Sequence, residues 1–181
     1  PVSPEPVIRP KRDTAIQVSL EELLNTVAKL HRDRASGESQ LSYDHIKYAI
    51  SKDETAGKML QSSVNFLLNN PESANQQLYT ATAYFLQKEN GGFRPIVLQE
   101  TLTKITHRCL NRRLLAMLRG RIPERQFCIN CANGTTMAAL EIQRELKGAK
   151  AKYITAVDFS NAFNSLSRRA LINNMTRLNI G

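Results

Sequence analysis

Apolar positions in the first part of the chain recur at spacings of three and four. In "SLEELLNTVAKLH", Leu20, Leu23, Leu24, Val27 and Leu30 fall on one helical face, and Ser19 followed by Glu22 reads as a capping box. After the loop "RDRASGESQ", "LSYDHIKYAI" begins a second helix from Ser42. A third amphipathic stretch carries Met59, Leu60, Val64, Leu67 and Leu68 and stops near "NNP", before Pro71.

The period then changes. "LYTATAYFLQK" and "FRPIVL" are β-rich runs, and "ENGG" between them reads as a glycine-bearing hairpin loop. Gln99 to Leu118 reads as a long helix ended by Gly120, and Gly134 to Leu146 as another closed by Gly148. "YITAVDF" reads as a strand and Arg168 to Leu178 as a short final helix. The order predicts an α+β chain, helix-rich, with too few strands to close a sheet.

Length and composition sharpen this picture. The 181 residues suffice for one domain, or one and part of another, and 41% are apolar, enough for a core. No apolar run is long enough to cross a bilayer, and no charged-then-apolar leader opens the chain, so neither membrane nor secretion is expected. Residues 1–14, with Pro1, Pro4, Pro6 and Pro10, read as an extended, flexible lead-in. Net charge is +9, and since the lead-in contributes little of it, the excess belongs to the folded part and favours polyanionic partners. Cys109, Cys128 and Cys131 form no disulfide framework and suit a reducing, intracellular compartment. "CINC" lacks a second pair at zinc-finger spacing, and His107 with Cys109 completes a ligand set only if the fold brings them close.

Three places hold candidate chemistry. Lys88 and Arg94 flank the hairpin tip, with Gly91 and Gly92 between them. Two cations beside glycines that admit close backbone approach can clamp a polyphosphate; an edge hairpin charged against aggregation would look the same. On the long helix, Lys104, Arg108 and Arg112 form a stripe at four-residue spacing. Leu102, Ile105, Cys109, Leu110, Leu114 and Leu118 occupy an arc turned away from it, and Arg113 and Leu115 break the pattern. Arg119, Arg121 and Arg125 extend the positive run, which suits phosphate backbones or a solvated face equally. In the expected strand, Ile154, Ala156 and Asp158 share a face, so Asp158 arrives at the strand end with room beside it. A rigidly held carboxylate there suits a magnesium ion carrying substrate phosphates, or simply caps the next turn of the chain.

The co-occurrence of these features in order carries a resemblance. "ASGESQLSYDHIKYAI", "LQKENGGFRPIVLQETLTKITHRCLNRRL", "PERQFCINCANGTTMAALEIQREL" and "YITAVDFSNAFNSLSR" together cover most of Ala35 to Arg168. The chain resembles reverse transcriptases, most closely those of non-LTR (LINE-type) retrotransposons, with "K-x-x-G-G-x-R-P-I" and "D-F-S-N-A-F-N-S" as the specific signals.

The resemblance implies a right-hand polymerase: a fingers-like region over 15–120 and the start of a palm over 121–181. It implies that Lys88 and Arg94 close on the triphosphate of the incoming dNTP. Asp158 would be the catalytic, metal-binding aspartate, with the Phe159 carbonyl as a further ligand. Phe163 would be the steric gate against a 2′-hydroxyl, a role that also disfavours an RNA-dependent RNA polymerase. Gln126 would lie near the template strand, joining Lys104, Arg108 and Arg112 in nucleic-acid binding. The implied cofactor is a pair of Mg2+ ions, with Mn2+ as a substitute. The implied partners are an RNA template, a DNA primer, dNTP, and the remainder of palm and thumb; the implied location is the nucleus.

The family's second acidic motif, x-Asp-Asp, does not occur between Pro1 and Gly181. Two-metal nucleotidyl transfer needs carboxylates that bridge both ions, so the expectation is a fragment that is inactive alone and exposes apolar surface prone to self-association. The competing expectation is a non-catalytic nucleic-acid- or protein-binding module derived from a reverse transcriptase.

Overall fold

Ser19, Ser42 and Asp53 open the first three helices, each by accepting a backbone N–H with its side-chain oxygen. In the computed structural model these are α1 (Leu20–Ala28), α2 (Tyr43–Lys52) and α3 (Glu54–Asn69). The structure describes residues 15–72, 76–89, 91–129, 131–148, 153–159 and 162–179, and of Gln76, Gln77, Phe163 and Asn164 the backbone only. The predicted lead-in over 1–14 lies outside the described residues. A 3-10 turn, Gln76–Tyr79, leads into the antiparallel hairpin β1 (Ala81–Gln87) and β2 (Phe93–Gln99). Helices α4 (Thr101–Leu118), α5 (Gly134–Lys147), α6 (Ala162–Ser165) and α7 (Arg168–Arg177) follow. The fold is α+β, and among the described residues no helix is long and apolar enough to cross a membrane.

The chain divides into two units, Asp13–Arg113 and a second that contains Leu114–Gly181. The first holds the core. Val18, Leu23, Val27, Tyr43, Val64 and Ile105 are buried together where α1, α2, α3 and the start of α4 meet. Each such side chain contributes about 1.5–3 kcal/mol by leaving water.

Polar contacts fix how the pieces are joined. The extended segment before α1 is gripped by α3: Asn69 accepts the Ile16 N–H and donates to the Ile16 carbonyl, both at 2.8 Å. One turn earlier, Asn65 does the same for Val18, at 2.8 and 3.1 Å. A spacing of four on a helix matches two residues of an extended chain, so two asparagines satisfy what a neighbouring strand otherwise would. Lys47 donates to the carbonyls of Ala28 and Leu30, closing the end of α1 with a positive charge.

The second unit is built differently. Among the described residues none beyond Cys109 is buried. Arg125 pairs with Glu141 at 3.4 Å and Glu145 at 2.9 Å, holding the loop before α5 to that helix. Arg121 donates to the Leu178 carbonyl at the end of α7.

Three sequence expectations need correction. Tyr153–Phe159 is not a strand: it pairs with no described residue, and Tyr153 is 88% exposed. β-propensity needs a hydrogen-bonding neighbour to become a ladder, and the only described sheet is the hairpin. The long helix starts at Thr101, because Gln99 closes β2. The capping box at Ser19 is half made, since the Glu22 side chain turns to Arg113 instead of back to Ser19. Its complete counterpart is at Ser42, where His45 supplies the return contact.

Candidate phosphate-binding hairpin and acidic segment

Register decides how the hairpin presents its charges. Leu86 lies opposite Arg94 and Gln87 opposite Phe93, and the Lys88 N–H donates to the Gly92 carbonyl at 3.0 Å. Gly91 and Gly92 have φ of 80° and 82°, a left-handed backbone that other residues rarely adopt, and the Gly91 N–H closes the turn on Lys88 at 3.1 Å. Side chains alternate, so Lys88 and Arg94 emerge on the same face as diagonal cross-strand neighbours, a relationship of about 7–8 Å with the Cβ atoms somewhat closer. Both are exposed, and neither enters an ion pair among the described residues. Sequence alone placed one cation on each strand; the shared face comes from the register.

The stripe on α4 behaves otherwise. Lys104 is half-buried and donates to the Ala35 carbonyl at 2.8 Å; burial lowers its pKa and neighbouring Glu100 opposes that. Arg112 donates to the Thr26 hydroxyl at 2.9 Å. Of the three, only Arg108 is exposed without such a contact among the described residues, so two of the three expected backbone-binding cations hold the protein to itself. The buried face of α4 also differs from the predicted apolar arc. Ile105 and Cys109 are buried, but so are Thr101, Thr103 and Thr106, whose hydroxyls donate to the carbonyls of Leu41, Leu78 and Leu102. Threonine fits there because each hydroxyl finds a nearby carbonyl. Leu110 is more than a third exposed.

Sequence reading missed Glu100. It is 7% exposed and accepts the Ser39 N–H at 3.0 Å and the Ser39 hydroxyl at 2.5 Å. The Ser39 hydroxyl holds its carboxyl below the usual glutamate range, helped by backbone N–H groups of Ser39 and Glu38 and by Lys104, and opposed by burial. Glu100 and Lys104 thus pin the 35–39 loop to the start of α4. Gly37 permits this approach: a Cβ there would lie 2.5 Å from Glu100 Oε1 and 2.8 Å from its Cα. The signal in the sequence was an acid immediately before a helix, beside a Gly-bearing loop 61 residues earlier.

In the second unit, Asp158 and Phe159 sit in the exposed extended segment. The Asp158 carboxylate accepts its neighbour's N–H, Phe159 N to Oδ1 at 2.9 Å, and Phe159 is 74% exposed. Among the described residues no three His, Cys, Asp or Glu side chains, Asp158 included, are grouped to hold a metal ion. Gln126 spends its side-chain oxygen on the N–H groups of Cys128 and Ile129, the latter at 3.1 Å, shaping the loop that contains "CINC". The side chain of Phe163 lies outside the described residues. Lys88, Arg94, Lys104, Arg108 and Arg112 belong to the first unit, and Gln126, Asp158 and Phe159 to the second. Cys109 is buried in the first unit, where burial raises its pKa, while exposed Cys128 and half-buried Cys131 belong to the second.

Comparison with protein-family models, with curated proteins and with solved structures finds nothing that matches this chain.

Proposed function

We infer that this chain supplies the fingers and the beginning of the palm of an RNA-directed DNA polymerase of the non-LTR type. Catalysis belongs to the complete protein. The observation that carries the reading is the hairpin tip: Lys88 and Arg94 on one face, exposed and without carboxylate partners among the described residues, beside two left-handed glycines that leave the backbone open. The Cβ of a side chain at either glycine would meet nothing within 4 Å, so the space over the tip is free for an anion. Two cations at this spacing suit a triphosphate better than a single phosphate, because charge spread over several oxygens engages both.

In this reading the reaction is attack of a primer 3′-hydroxyl on the α-phosphate of a dNTP, with pyrophosphate leaving. Lys88 and Arg94 neutralise triphosphate charge as it shifts towards the leaving group. Asp158 and the Phe159 carbonyl offer hard oxygen donors of the kind Mg2+ takes; the metals supply charge stabilisation when bound. An exposed carboxylate with no ion pair among the described residues is available for that role, and further acidic ligands come from other parts of the protein. Phe163 selects against the ribose 2′-hydroxyl. Arg108 is the α4 cation left for template or primer phosphates.

The test is primer extension on an RNA template by the complete protein. Lys88→Ala and Arg94→Ala are each expected to raise KM for dNTP about tenfold or more, as removal of a charge-assisted phosphate contact does. Asp158→Asn is expected to abolish incorporation without loss of template binding. Phe163→Ala is expected to admit NTPs. No incorporation by the complete protein under any divalent ion, with RNA binding retained, would instead establish a non-catalytic binding module.

A further inference from the structure

The two edges of the hairpin are not equivalent. The Lys88 to Gly92 hydrogen bond and the register fix the phase of the ladder: Leu86, Tyr84 and Thr82 exchange bonds with β2. Ala81, Ala83, Phe85 and Gln87 therefore direct their N–H and carbonyl groups outward. On β2 the outward edge is guarded, because Pro95, opposite Phe85, has no N–H to offer and Arg94 adds a charge. On β1, "ATAYFLQ" has no proline, no glycine and no charge, and no described strand pairs with its outer side. Both faces of the hairpin are apolar and open: Phe85 is 66% and Val97 57% exposed on one, Tyr84 51% and Leu86 52% on the other. A two-stranded ribbon in this state is marginal in water, and further strands stabilise it.

We propose that the outer edge of β1 pairs antiparallel with β1 of a second copy of this chain, about a two-fold axis through Tyr84. The strand is its own complement in this register. All seven residues find partners, and Phe85, Leu86 and Gln87 lie opposite Ala83, Thr82 and Ala81 of the second copy, each larger side chain facing a smaller one. No charge meets a like charge. Tyr84 meets Tyr84 of the second copy in a non-hydrogen-bonded pair, where Cα atoms approach to about 4.5 Å and aromatic pairs are favourable. The outward-directed residues fall on bonded positions of the new ladder, so the phase set by β2 and the phase demanded by the two-fold axis agree. A four-stranded sheet results, with β2 and its Pro95 at each end. The chain's own lead-in is a poor alternative occupant, since Pro1, Pro4, Pro6 and Pro10 remove the donors a strand needs. The hairpin tips point in opposite directions in the pair, so the inference stands independently of any role for Lys88 and Arg94.

The experiment uses the 181-residue chain in a Cys128→Ser, Cys131→Ser background, where the remaining native thiol is buried. Sedimentation equilibrium is expected to show the mass doubling with concentration. Under mild oxidation Tyr84→Cys is expected to give a covalent dimer and Leu86→Cys, whose counterpart is distant across the axis, is not. Ala83→Pro removes an outward donor and leaves the bonds to β2 intact, as Pro95 does on the other strand, so it is expected to be monomeric with an unchanged circular dichroism spectrum. A chain that stays monomeric, or cross-links equally through both cysteine variants, overturns the proposal and assigns the edge to some other strand. If Ala83→Pro fails to fold, the two cysteine variants decide alone.

Discussion

Arg113 donates from Nε and Nη2 to the two carboxylate oxygens of Glu22, at 2.9 and 2.7 Å, joining residues 91 apart in sequence. The same guanidinium also donates to the Gln17 carbonyl. This fork closes α4 onto α1 and accounts for an arginine that interrupts the periodicity of α4. Removing it by Arg113→Ala is expected to cost about 1.5–3 kcal/mol, the range for hydrogen bonds to charged groups, read from urea denaturation of the chain. Arg113→Lys should recover only part of this, because a point charge cannot reproduce a planar fork. An unchanged denaturation midpoint in both variants would show the pair to be incidental.

Acid should loosen the first unit. Hydrogen bonding to Arg113 holds Glu22, and hydrogen bonding to Ser39 holds Glu100, below the ordinary glutamate value of 4.5. A carboxyl whose folded pKa is depressed stabilises fully above its unfolded pKa and loses that contribution as pH falls through the folded value. The denaturation midpoint is therefore expected to decline below about pH 4.5, and to decline less steeply in a Glu22→Gln, Glu100→Gln double variant. Equal slopes in the two proteins would refute the assignment.

Gly37→Ala tests the loop pinned by Glu100. The added methyl meets the Glu100 backbone as well as its side chain, so rotation of the carboxylate cannot relieve the clash. A loss of about 1–3 kcal/mol is expected, typical of overpacking. Trimming the glutamate side chain in the same protein should not restore it. Full rescue by Glu100→Ala would mean that only the flexible end was in the way.

Asn69→Leu removes both contacts to Ile16 at similar volume. The expected cost is about 1–3 kcal/mol from the unpaired backbone groups. The more specific readout is hydrogen exchange: the Ile16 amide should exchange faster while Val18, still held by Asn65 and also by Gln61, remains slow. Loss of protection at both amides together would indicate that the segment is released as a whole.

Local order was legible in the sequence wherever short-range chemistry decides it. The serines before α1, α2 and α7, the glycines of the hairpin and the apolar repeat of α1 and α3 announce those elements, because caps, turns and helical faces depend on residues a few positions apart. What sequence could not assign was the partner of each polar side chain. Lys104, Arg112 and Arg113 look alike as cations on a helix. Contacts with Ala35, Thr26 and Glu22, residues 69, 86 and 91 positions away, separate them from Arg108. The same limit applies to β structure. "YFLQ" and "YITAVDF" have similar propensities, yet only the first has a neighbour brought to it by a tight turn, and a strand exists only as one side of a pair. Sequence thus determined the helices, the hairpin and the positive balance of charge. Tertiary structure decided which charges are committed to the protein and which, like Lys88 and Arg94, stay exposed with no ion pair among the described residues, because a charge is committed only when folding brings a partner from far along the chain.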